Sequence, residues 1–123
     1  MKIRECFDRV RAIPGIPIAE EDAMMVWLND CEGRIFDEII ATREGAPMEA
    51  FFGYDDEDTE DVLMAKDPYA ALYVYYVAAQ IYLSFSDMAR YNNYIMLYRD
   101  EYEEFAGYYA RTHRQNRSTE VKL

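Results

Sequence analysis

The chain has 123 residues, with 24 Asp and Glu against 13 Lys and Arg, and a formal charge of −11 at pH 7. That length bounds it to one domain, and a hydrophobic share of 51% supplies that domain with a core. The charge argues against a general nucleic-acid binder, which needs Lys and Arg for phosphate contacts, and against docking on an anionic membrane surface.

Ile3, Cys6, Phe7 and Val10 share one face of a short first helix. Ile13-Pro14-Gly15-Ile16-Pro17 ends it, because Pro and Gly stop helices and make turns. The opening residues MKIRECFDRVRAI mix charged and apolar positions, so no signal peptide is expected. A second helix is expected from about Ala19 to Ala41, with Met24, Trp27, Leu28, Cys31, Ile35 and Ile39 as its buried stripe. Glu20, Glu21 and Asp22 in its first turn suit the helix dipole. Gly33 is read as a point of close approach by another helix. Cys6 and Cys31 are too few for a disulfide scaffold and fall on apolar faces, so both are read as reduced core residues.

Thr42 to Lys66 is punctuated by Gly45, Pro47 and Gly53 and carries the acidic run Asp55 to Asp61. Met48, Phe51, Phe52 and Tyr54 are the candidates to anchor this loop to the core. Asp56, Asp58 and Glu60 alternate like the start of a calcium loop. However, Asp61 stands where that loop needs Gly, and Asp67 where it needs a bidentate Glu. The run is read as a solvated loop.

The stretch from Asp67 to His113 organises the rest. Asp67 is placed to cap a helix and Pro68 to occupy its first position. Apolar residues then recur in steps of three and four through Val74, Val77, Ile81, Met88, Tyr91, Ile95, Tyr98, Tyr102, Phe105 and Tyr109. One continuous helix would be roughly 65 Å long at 1.5 Å per residue, which favours a hairpin broken at Ser84-Phe85-Ser86-Asp87. The unbroken phase of the stripe favours a single helix, and the two readings stay open. Tyr69 to Phe85 is apolar on nearly every side and must be enclosed. Its scattered tyrosines and its Asp67 and Asp87 flanks argue against a membrane span. The fold class expected is all-α: a bundle of about four helices over residues 1–113, with an acidic loop between helices two and three. Residues 114–123 are expected to form a flexible basic tail.

No nucleophile with a base, no phosphate loop and no metal-spaced Cys/His set is readable. His113 is the only histidine and Ala110 stands three before it, so the Glu-x-x-His pairs of a di-metal bundle are missing. The expectation is therefore no catalytic residue, no cofactor and no metal, and a protein that is not an enzyme. The surplus of tyrosine suggests a partner surface. Tyr98, Tyr102 and Tyr109, with the basic Arg111, His113, Arg114, Arg117 and Lys122, are the candidate partner-binding residues.

WLNDCEGRIFDEII, DPYAALYVYYVAAQIYL and ARYNNYIMLYRDEYEEFAGYYARTH together resemble small structural-module proteins of tailed phages and prophages, related to head–tail connector (adaptor) proteins. The most specific pieces are Gly33-Arg34-Ile35, Ala89-Arg90-Tyr91-Asn92-Asn93 and Arg111-Thr112-His113. The resemblance implies a helical subunit of a ring under the portal, gripping neighbours through flexible segments and its tail. It implies as partners other copies of the chain, the portal and tail-completion proteins, with no specific nucleic acid and no membrane. The implied location is the host cytoplasm during assembly and then the virion. An acidic DNA mimic that blocks a DNA-binding enzyme is the second reading, and a small helical protein–protein adaptor the third.

Overall fold

The computed structural model describes residues 1–115. They form four α-helices in chain order: α1 (Ile3–Arg11), α2 (Glu21–Ile35), α3 (Ala71–Ser84) and α4 (Met88–Thr112). Among the described residues the only β pairings are two isolated bridges, Lys2 with Val62 and Arg43 with Gln115. The molecule is an all-α bundle, and none of its described helices is long and apolar enough to cross a membrane.

The 3-1-3 spacing of Ile3, Cys6, Phe7 and Val10 puts all four in the core and leaves the charges of α1 outside. α1 stops at Ala12, and Gly15 then takes a positive φ of 75° in the following turn. α2 opens without a side-chain cap, and Glu21 and Asp22 supply the negative charge its first turn favours. It does not end at Ile35. One widened π-turn, Phe36–Ile40, continues it, closed by the Ala41 N–H on the Phe36 carbonyl at 2.8 Å. An extra residue in one turn rotates the following side chains, and Phe36, Ile39 and Ile40 are all buried.

α3 is the enclosed centre of the bundle, buried from Leu72 to Val74 and again from Tyr76 to Ala79. It packs on α1, α2 and, most extensively, α4. Its start differs from the expectation at Asp67. Residues 66–73 are taken up by turn bonds that reach back three residues, Tyr69 to Lys66, Leu72 to Tyr69 and Tyr73 to Ala70, so α3 begins at Ala71 with no side-chain cap.

The long stretch is a hairpin, and its break lies at Ser84 to Asp87. Ser86 adopts φ 59°. Its N–H donates to Leu83, and that of Asp87 donates to Tyr82 at 2.9 Å. This is the left-handed helix-ending motif, with Ser in the place Gly usually holds. Asp87 then starts α4 by accepting the Arg90 N–H at 3.1 Å and pairing with its guanidinium at 2.8 Å. The unbroken stripe belongs to two antiparallel helices facing each other. Ile95, Tyr98, Phe105 and Tyr109 are buried, while Met88, at the tip, is half exposed.

The segment between the π-turn and α3 contains no helix, but its backbone is tied down. The first-turn amides of α1 are satisfied by this loop: Ile3 donates to Asp61 at 3.0 Å and Arg4 to Thr59 at 2.8 Å. These are donors that a helix cannot satisfy internally, and the acidic run lies at the end of α1 where negative charge is favoured. Leu63 and Ala65 are buried, and Phe51 and Tyr54 pack against the core, but Phe52 is 94% exposed and anchors nothing. The neighbour of Gly33 is this loop, not another helix: a Cβ there would meet the Phe51 ring at 4.0 Å. Trp27 also differs from the expectation, being only partly buried at the edge of the core.

Candidate functional site

A groove of about 720 Å³ runs between the loop and the last turns of α4. Met48, Val62 and Tyr69 line the loop side, and Phe105, Tyr108 and Tyr109 the helix side. The α4 residues reach one wall because 105, 108 and 109 are spaced by one helical turn. Their rings form a connected cluster, with Tyr69 at 5.1 Å from Tyr108 and 5.8 Å from Phe105, centroid to centroid. His113 closes the end, its ring stacked on Tyr109 at 3.7 Å and nearly parallel. The His113 Nδ1 sits 2.9 Å from Thr112 Oγ1 and 3.3 Å from the Tyr109 carbonyl. Burial pushes the Tyr109 hydroxyl's pKa up, so the helix wall is uncharged aromatic surface, while Asp61, Lys66 and Asp67 put charge on the loop side.

Behind the groove lies a buried carboxylate that sequence reading missed. Glu32 on α2 is fully enclosed. Its Oε2 accepts from the Tyr54 hydroxyl at 2.7 Å and the Met64 N–H at 2.9 Å, and its Oε1 from the Tyr73 hydroxyl at 2.5 Å. Tyr73 also accepts the Ala65 N–H at 2.8 Å. One turn earlier, Asn29 exchanges two bonds with the backbone of Tyr54, at 2.7 and 3.0 Å. Burial raises the Glu32 pKa, and the donated hydrogen bonds of Tyr73, Tyr54 and Met64 offset only part of that rise. Burial, then the nearby Glu32 charge, holds the Tyr54 and Tyr73 hydroxyls well above their ordinary range. With three donors on its two oxygens and no exposed surface, Glu32 offers nothing to a substrate. It fastens the loop to α2 and α3. Its signal in the sequence was a lone carboxylate four residues after Leu28 and three before Ile35, at core spacing.

Both cysteines are free and buried. Burial pushes the Cys6 thiol up to about 12 and the Cys31 thiol well above its usual value, so both remain protonated and unreactive at neutral pH. Among the described residues no group of His, Cys, Asp and Glu has the arrangement to hold a metal ion.

The candidate partner-binding residues separate in space. Tyr98 and Tyr109 are both largely buried: Tyr98 packs on Tyr76 at 5.0 Å, and Tyr109 shows only its edge to the groove. The Tyr98 hydroxyl lies beside the Cys31 thiol without a well-formed hydrogen bond. Tyr102 is partly buried and donates a short hydrogen bond to Glu38. These three tyrosines fall on the stripe that α4 turns toward α3 and the π-turn, and of them Tyr109 also lines the groove. Arg111 is exposed in the last turn of α4, and His113 caps that helix. Arg114 is exposed, but its carbonyl accepts the Glu44 N–H at 2.8 Å and Gln115 bridges to Arg43, so the chain is still paired where the tail was expected to begin. Arg117 and Lys122 lie outside the described residues.

A second surface was not anticipated. At the α3–α4 tip, Leu83, Phe85 and Met88 are exposed together, with Phe85 at 57%. Ile18 is exposed in the α1–α2 connection, which Ile81 of α3 flanks. No protein-family model matches the chain, and neither a curated protein nor a solved structure matches it.

Proposed function

We propose that this chain is a head–tail connector protein of a tailed phage or prophage, one subunit of a ring beneath the portal. The reading begins from the three stretches that resemble such proteins. The observation that carries it is the exposure of part of the third stretch: Ala89, Arg90, Asn92 and Asn93 at one end of α4 and Arg111 and Thr112 at the other. Side chains that bury little in the monomer are available to an assembly. The charge of −11 suits a channel wall past which DNA phosphate must slide, since like charges repel. The ring would form in the host cytoplasm and persist in the virion, with the portal above it and tail-completion proteins below.

The test is retention of the purified protein by portal-bearing heads assembled without it. The account predicts stoichiometric binding that weakens as salt rises, because exposed charges are screened. Failure to bind heads that still accept a complete tail extract would overturn it.

A further inference from the structure

We propose that the α3–α4 tip of one copy, led by Phe85 and Met88, seats in the Tyr69–Tyr108 groove of a second copy. The two surfaces lie at opposite ends of the same molecule. Met88 begins α4, and Phe105, Tyr108 and His113 lie in and just beyond its closing turns. α4 has 25 residues, which separates the ends by roughly 37 Å at 1.5 Å per residue. No copy can therefore fill its own groove with its own tip.

Shape and chemistry match. The tip presents exposed apolar side chains on a turn fixed at both sides by the Ser86 and Asp87 hydrogen bonds. The groove, at about 720 Å³, has room for an aromatic ring and its neighbours, and its Tyr69, Phe105 and Tyr108 rings give Phe85 edges and faces to pack on. Charge selects the same pairing. On the loop wall of the groove, Asp61 and Asp67 stand against Lys66, and the rest of the acidic run, Asp55 to Glu60, precedes them in the chain. The segment Ser84–Arg99 around the tip holds only Asp87 against Arg90 and Arg99. In so acidic a chain, that stretch carries two Arg against one Asp and meets the carboxylates of the groove wall without like-charge repulsion.

The contact uses two different patches, so it is heterologous. Such contacts repeat head to tail and close into a ring where the rotation permits. It would supply the interface that the connector reading needs, and it rests on that reading only for its biological setting. Its test uses purified protein without heads, so its failure leaves attachment to heads untouched.

The experiment is sedimentation velocity on the full chain, on Phe85→Asp and on Tyr108→Asp, at up to about 1 mM, where even a contact of millimolar Kd is populated. The full chain is expected to grow beyond a dimer with concentration, and each variant alone to stay monomeric. Mixed in equal amounts, the variants are expected to form a one-to-one dimer and stop, because one intact tip meets one intact groove. That dimer also proves both variants folded. Association of Tyr108→Asp alone would show a tip-to-tip contact, and a mixture that stays monomeric while the full chain associates would show that tip and groove are not partners; either overturns the proposal. A full chain that is monomeric throughout would overturn it equally.

Discussion

The Tyr73 hydroxyl lies 2.5 Å from a carboxylate oxygen of Glu32 in the interior of the bundle. Tyr73 belongs to α3 and Glu32 to α2, and the same carboxylate holds Tyr54 and the Met64 N–H of the loop. Three parts of the chain are thus joined at one residue. A buried charge or acid of this kind is costly unless every oxygen finds a donor, and here both do.

Glu32→Ala should therefore be among the most damaging single changes. It opens a cavity and leaves two hydroxyls and one N–H unpaired, for a loss of about 3–5 kcal/mol. Urea titration measures that loss. Hydrogen exchange should show the amides of Met64 and Ala65 losing protection before those of α3.

The same residue sets a pH dependence. Its folded pKa is raised above the ordinary value of 4.5, chiefly by burial. The folded state therefore holds the proton to higher pH than the unfolded state, and the unfolded state gains from releasing it first. The contribution of Glu32 is fully present below about pH 4 and declines as pH rises through the folded pKa. Glu32→Gln does not titrate. The stability advantage of the natural chain over Glu32→Gln should be largest in acid and shrink toward neutral pH, as read by thermal midpoints of both proteins across that range. A constant difference would show that Glu32 does not change its charge state in the way described.

Tyr98 predicts the opposite sign from Tyr73. Its hydroxyl is buried without a satisfying partner, so Tyr98→Phe should be neutral or stabilising by up to about 1 kcal/mol. Tyr73→Phe removes a donor from Glu32 and an acceptor from Ala65, and should cost about 1–3 kcal/mol. Denaturant midpoints of the two variants give the comparison directly.

At the hairpin, Ser86 holds φ 59°, a conformation that costs a residue with a Cβ roughly 1 kcal/mol relative to Gly. Ser86→Gly should raise stability by about 0.5–1 kcal/mol, and Ser86→Val should lower it by more. Thermal unfolding followed by circular dichroism distinguishes them.

Much of this architecture was legible because it is periodic. The buried positions of α1 and most of those of α2 follow from spacing, whereas the break at Ser84 to Asp87 stood against an unbroken stripe that equally suited one long helix. Spacing also placed Tyr98 and Tyr109 on the inner stripe, yet it could not show how much ring α3 and α4 enclose between them. Only packing two helices face to face removes those tyrosines from the surface. Glu32 was hidden for a related reason. A carboxylate in a core register is ordinarily excluded, and its donors, Tyr54, Met64 and Tyr73, come from 22 to 41 residues away. The start of α3 was misplaced because Asp67 and Pro68 carry valid helix-start chemistry, while the turn that uses them depends on contacts of the loop. Trp27 sits on the stripe of α2 but at the margin of the core, so Trp27→Ala should cost nearer 1–3 kcal/mol than the full price of a buried tryptophan.

The central claim, that the chain is a ring-forming connector, is tested most directly by cryo-microscopy of portal-bearing heads incubated with the purified protein. The account predicts new helical density beneath the portal, arranged as a closed ring of identical subunits, into which the α3–α4 hairpin fits. Portals that remain bare at saturating protein, in heads shown to be competent for tail attachment, would contradict it.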